Sequence, residues 1–135
     1  LANWRDGRIK QTLIAEVLNL RAEHAELFSR GAYQALEVVG NQAHRVLAFA
    51  RSLKGKRAIV IVPIRCADLQ KNSAEPRMDA LQWGDTRVKL PFAASDENLK
   101  GLFSSVAVTQ HRELNISAAL GVVPVNLFIQ HFTQA

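Results

Sequence analysis

A single cysteine, Cys66, excludes an internal disulfide framework. A lone thiol suits a reducing compartment, so the cytoplasm is the expected location. Cys66 follows the apolar run 58–64 and reads as a small buried thiol rather than a nucleophile. Aromatic residues are scarce at 7%, and none is interleaved with the basic run Lys54, Lys56 and Arg57 that Arg45 precedes. That argues against stacking on nucleic-acid bases, and no nucleic-acid partner is expected. No apolar run approaches the ~20 residues that cross a bilayer, so no membrane association is expected either. Residues 1–8 lack the basic-then-apolar pattern of a signal peptide; the chain opens on Leu1 rather than Met, and an excised fragment is the simplest reading.

The chemistry of catalysis is equally thin. Seven glycines are scattered singly, so no glycine loop cradles a phosphate. There is no G-x-S-x-G elbow. His24, His44, His111 and His131 are far apart, and no His/Cys/Asp/Glu group has metal-ligand spacing. No catalytic residue, cofactor or metal ligand is expected.

What is present is a globular composition. The 135 residues are 48% hydrophobic and 21% charged, enough for one domain that buries roughly two thirds of its unfolded surface. The net charge of +5 is uneven: residues 1–57 hold ten Lys/Arg against five Asp/Glu, the remainder seven of each. Lys54, Lys56 and Arg57 flank Gly55, which reads as a solvated hairpin turn.

The hydrophobic rhythm changes once along the chain. From Asp6 to Phe28 it is helical. Ile9, Leu13, Val17, Leu20 and Leu27 form one stripe, and Ile14 and Leu18 widen it to about half the circumference. A helix lying on one small sheet does not need so broad a face; one wedged between two bodies does. Asp6 is the expected N-cap and Gly31 the stop, with a short second helix over 22–28. His24 falls on the apolar edge, where a packed ring is expected.

From Tyr33 onward the pattern is short β-like runs. Residues 33–39, 45–52 and 57–64 read as a meander turned at Gly40-Asn41 and Lys54-Gly55. Residues 46–51 show no clean polar face and predict a strand covered on both sides. The β-branched run 58–62 predicts a central strand ended by Pro63. A long polar loop over 68–82 and a connector over 93–98 separate further strands at 85–90, 102–103, 106–109, 113–116 and 123–130. Seven or eight short strands at this spacing predict a mainly β fold, an antiparallel Greek-key sandwich preceded by one or two helices.

Two aromatics could stack on a sugar. Trp83 stands beside Asp85, and Tyr33 begins the β region. Packing explains Trp83 and Trp4 equally well, with Asp85 in an Asx-type turn. A lone carboxylate is not the pair that glycoside hydrolysis requires.

Several segments are similar to the end of the maltooligosyltrehalose synthases, in glycoside hydrolase family 13 of the α-amylase superfamily. They are Asp6-Gly7-Arg8-Ile9-Lys10, Leu18-Asn19-Leu20-Arg21, Ala25 through Tyr33, Arg45 through Arg51, Ala58 through Pro63, the W-x-D-T-R-x-x-L-P run from Trp83 to Pro91, and Val123 through Phe128. The resemblance covers nearly the whole chain in family order. It departs at Ser104-Ser105, where a Thr-Gly turn is usual, and at Asn126, where a small apolar residue is usual. It implies an amylase-type arrangement. Residues 1–31 would be the last helix or helices of a truncated (β/α)8 barrel, and residues 32–135 a C-terminal β-sandwich. The parent enzyme would convert the reducing-end α-1,4 linkage of a maltooligosaccharide to α,α-1,1 by intramolecular transglucosylation. The family's catalytic carboxylates lie on upstream strands, so the fragment itself is expected to be non-catalytic. Its expected partners are the upstream barrel of the same chain and the parent's maltooligosaccharide substrate, and a bare Ile14/Leu18 flank invites self-association. The alternative is an α-glucan-binding module using Trp83 and Tyr33.

Overall fold

The computed structural model describes residues 7–65, 83–92, 99–103, 112–120 and 126–132. Trp4, Asp6, Cys66, the loop 68–82, the connector 93–98, Ser104-Ser105, the strand expected at 106–109, His111 and Pro124 lie outside them.

Helix α1 (Arg8–Glu23) is built largely of strong helix formers. It starts after Gly7, whose φ of 84° lies in the left-handed region that glycine enters freely. At His24 the backbone departs from helical geometry (φ −122°, ψ 42°), although its N–H still reaches the Leu20 carbonyl at 3.1 Å. Helix α2 (Ala25–Arg30) then runs to Gly31. A Cβ at Gly31 would overlap the Leu27 carbonyl oxygen, so the stop predicted there has a steric cause.

Eight strands follow among the described residues: β1 (Ala32–Ala35), β2 (Val38–Val39), β3 (Val46–Leu53), β4 (Lys56–Pro63), β5 (Arg87–Lys89), β6 (Leu99–Gly101), β7 (Glu113–Asn115) and β8 (Asn126–His131). A 3-10 turn (Ala43–Arg45) precedes β3, and a short helix α3 (Ile116–Ala119) follows β7. They form a five-stranded sheet in the order β1-β3-β4-β8-β6 and a three-stranded sheet in the order β2-β5-β7. Every pairing is antiparallel. The protein is therefore mainly β with helices at its start, as the rhythm of the sequence predicts.

Three details differ from the sequence reading. The run 33–39 is two strands in different sheets. Leu36 still donates to Ala48 of the larger sheet at 3.0 Å, while the Glu37 carbonyl accepts from Lys89 of the smaller one at 2.9 Å. The chain changes layer at buried Leu36. Second, β6 lies at 99–101 rather than 102–103, though Leu102 continues the ladder by donating to Leu127 at 2.8 Å. Third, β3 is covered fully on one side and only in part on the other, where α2 reaches its Leu53 end. Val46, Ala48 and Ala50 are buried, whereas Leu47 on the other face is 48% exposed.

The core lies between the two sheets. Val46, Ala48, Ala50, Ile59, Ile61 and Phe128 from the larger sheet meet Val88 and Leu114 from the smaller, together with Trp83, Leu90, Ile116 and Leu120. Strand β4 is the central strand expected, with Ala58, Ile59 and Ile61 fully buried. On the outer face of the larger sheet, Leu27 of α2 packs with Ala58 and Ile129.

Candidate functional site

The outer side of the molecule carries its least satisfied surface. No described side chain of α1 is buried. Ile14 and Leu18 are 49% and 53% exposed, and even Leu13, Val17 and Leu20 of the main stripe are half-buried. Among the described residues, it is the end of the helix that meets the body, where Leu20 joins Phe28 and Leu53 around the Leu27 cluster. The exposed flank is thus the Ile14/Leu18 pair anticipated from the sequence, beside a main stripe that is half-buried. Among the described residues, that stripe has only a partial cover.

The apolar surface continues on the larger sheet. Leu47 and Val62 are paired, as are Phe49 and Val60, and these residues share the face that α2 covers at Ala58. Tyr33 of β1 lies on the same face, opposite Arg51, and is 61% exposed. Its ring stacks on Phe49 with centroids 5.4 Å apart and planes at 29°. One ring face is held by Phe49; the remainder is open to solvent.

Trp83 is placed quite differently. Only 1% of it is exposed, and it belongs to the core between the sheets. Its indole has no free face for a sugar, which corrects the pairing of Trp83 with Tyr33 as stacking surfaces. Asp85 is committed to holding a turn: its Oδ1 accepts from the Asn41 N–H at 3.0 Å. The neighbouring Thr86 Oγ1 accepts from the Gln42 N–H, also at 3.0 Å. Gly40 passes so close beneath that a Cβ would lie 2.6 Å from the Thr86 Cα. The Gly40-Asn41 turn and the Trp83–Thr86 turn are one clamp, and sequence spacing gave no sign that they meet.

The basic residues do not form a single patch. Arg45 precedes β3 and Lys54 follows it, so the eight-residue strand keeps them ~26 Å apart. Arg45 donates to Gln42 and to the Arg65 carbonyl. Arg57 turns inward, its guanidinium 3.6 Å from the Phe92 ring centroid and 4.3 Å from that of Phe132. It donates to Gln130 Oε1 at 2.7 Å and Ser52 Oγ at 3.2 Å, and burial pushes its pKa down. Lys54 reaches Glu26 of α2 at 3.8 Å.

At the α1–α2 elbow, the His24 Nδ1 is buried without a hydrogen-bond partner. Burial lowers the His24 pKa, and Lys56 and His131 lower it further against an opposing effect of Glu23. Among the described residues no group of three or more His, Cys, Asp or Glu could hold a metal ion, and no helix is long and apolar enough to cross a membrane.

No family model matches the chain, and no curated protein does. Two solved structures do. One is maltooligosyltrehalose synthase from Arthrobacter ramosus, at 22% identity and a TM-score of 0.59, covering 87% of this chain and 13% of that one. The other is a single-substitution mutant of that enzyme, at 23% identity and a TM-score of 0.57, covering 84% of this chain and 12% of that one. This chain therefore spans about an eighth of their length, and at this identity the likeness establishes a shared fold: that of a segment of a maltooligosyltrehalose synthase.

Proposed function

We propose that this chain is the C-terminal accessory region of a maltooligosyltrehalose synthase, an intramolecular glucosyl transferase of trehalose biosynthesis in glycoside hydrolase family 13. Residues 1–31 are then the closing helices of the catalytic (β/α)8 barrel and residues 32–135 a cytoplasmic enzyme's C-terminal β-sandwich. The region is structural. It covers apolar barrel surface and anchors the helix that completes the scaffold, and the catalytic carboxylates belong to the barrel.

The observation that carries this reading is α1, a helix with a broad apolar stripe and no buried side chain among those described. Each large apolar side chain that gains a cover contributes roughly 1.5–3 kcal/mol. The likeness to a segment of the Arthrobacter enzyme supports the same reading. Incubating maltohexaose with the longer protein that carries this region should remove reducing ends without shortening the chain. The 135-residue chain alone should leave the sugar unchanged. Retained reducing power with the longer protein would overturn the assignment.

One observation favours a second reading, an α-glucan-binding module: the exposed, Phe49-backed ring of Tyr33. Affinity electrophoresis in a gel containing maltooligosaccharide separates the two. Free migration favours scaffolding; retardation abolished by Tyr33→Ala favours binding.

A further inference from the structure

Strand β1 ends the larger sheet, and all four of its residues are exposed. Its register decides which backbone groups are left over. Leu36 donates to Ala48 directly opposite, so residues of that parity turn their N–H and C=O toward β3. Gln34 and Ala32 share that parity. Tyr33 and Ala35 therefore direct both groups outward, giving two donors and two acceptors on an edge with no neighbouring strand among the described residues.

Edge strands are ordinarily kept very short, as four-residue β1 is, or carry a lysine, a proline, a bulge or an inward charge that blocks strand addition. Ala32-Tyr33-Gln34-Ala35 carries no charge and no proline, and it pairs with β3 in unbroken register. It is also self-complementary. When two copies are laid antiparallel with Gln34 on the two-fold axis, Tyr33 of each faces Ala35 of the other. The two residues with outward backbone groups then exchange four hydrogen bonds. A large side chain meets a small one at both positions, and the two Gln34 amides meet at the centre.

We propose that this edge docks a second copy of the chain, pairing β1 with β1 about a two-fold axis at Gln34. The contact is isologous, so it closes as a dimer and does not propagate. It joins the two larger sheets into one and brings each Tyr33–Phe49 stack beside its partner's edge. This goes beyond the enzyme reading and stands independently of it, since it uses neither α1 nor any barrel surface.

Sedimentation velocity over a concentration series tests the pairing. The chain should show a reversible monomer–dimer equilibrium. Ala35→Pro removes an outward donor and no internal bond, and proline is tolerated on an edge, so this variant should associate at least tenfold more weakly. Gln34→Lys and Gln34→Glu place like charges face to face, and each should be monomeric alone. An equimolar mixture of the two should regain the dimer. Circular dichroism and urea midpoints confirm folding, and the charge pair supplies the answer if the proline variant unfolds. The proposal is overturned by a wild-type chain that stays monomeric, by Gln34 variants that fail to pair when mixed, or by a dimer lost in Ile14→Asp/Leu18→Asp but retained in the Gln34 variants.

Discussion

Asn126 opens β8 at 1% exposure, in a position where an apolar side chain would bury at no polar cost. Its Nδ2 donates to the Ala119 carbonyl at 2.8 Å, and its Oδ1 accepts from the N–H groups of Phe103 at 3.2 Å and Leu127 at 3.0 Å. One amide thus ties α3, the segment after β6 and the start of β8. Asn126→Ala leaves the half-buried Phe103 N–H and the buried Ala119 carbonyl without this partner and should cost about 1–3 kcal/mol in urea unfolding. The sequence marked Asn126 as unusual; its partners, distant in the chain, could not be read there. Trp83 teaches the converse. Its neighbours suggested either a turn or a sugar platform, and burial alone separated the two. His24 is legible as an apolar-edge residue, but its lowered pKa needs Lys56 and His131, which folding brings near. Burial, the main cause, favours the neutral ring in the folded chain. An unfolded chain therefore takes up the proton first as pH falls. His24's contribution should be complete above its ordinary histidine range and should decline below it, through the depressed folded value. An NMR titration should place its midpoint below that of a histidine in a denatured control, and His24→Gln should flatten stability against pH in that window.

At the level of elements, α1 matches the pattern in forming a helix and in leaving Ile14 and Leu18 exposed. Its stripe predicted contact on two sides; among the described residues the body meets it at one end. Ile14→Asp/Leu18→Asp should accordingly leave the urea midpoint of this chain nearly unchanged, within about 0.5 kcal/mol, because surface substitutions carry little stability. If the proposed reading holds, the same pair in a longer protein carrying the barrel should lower activity and thermal stability together, since a charged flank cannot be covered cheaply. Gly31 marks the next boundary. Gly31→Ala should destabilise by about 1–3 kcal/mol, because the new methyl must displace the Leu27 carbonyl or the β3 backbone. The division of residues 33–39 between two sheets was not legible. Each half carries β-compatible residues, and local preference does not say which layer a strand joins. Pairing with β3 and with β5 decides that.

Across the whole molecule, two antiparallel sheets close on one apolar core while, among the described residues, it is α2 that covers the outer face of the larger sheet. Trp83 fills that core between layers contributed by residues far apart in sequence. Trp83→Ala should cost about 3–5 kcal/mol by combining lost burial with a cavity, and the loss should appear in the equilibrium denaturation curve. Arg57 closes one end of the same space by stacking on Phe92 and Phe132.

The amino-acid order alone determined the class of fold, the opening helix and its excess of apolar surface, the central strand β4 and the principal turns. These depend on periodicity and on backbone preferences within a few residues. Tertiary structure decided which aromatic is buried and which is open, where the chain changes sheet, which edge is bare and why Asp85, Asn126 and Arg57 are satisfied. Each of those outcomes depends on groups joined across dozens of residues, and no local pattern encodes who the distant partner will be.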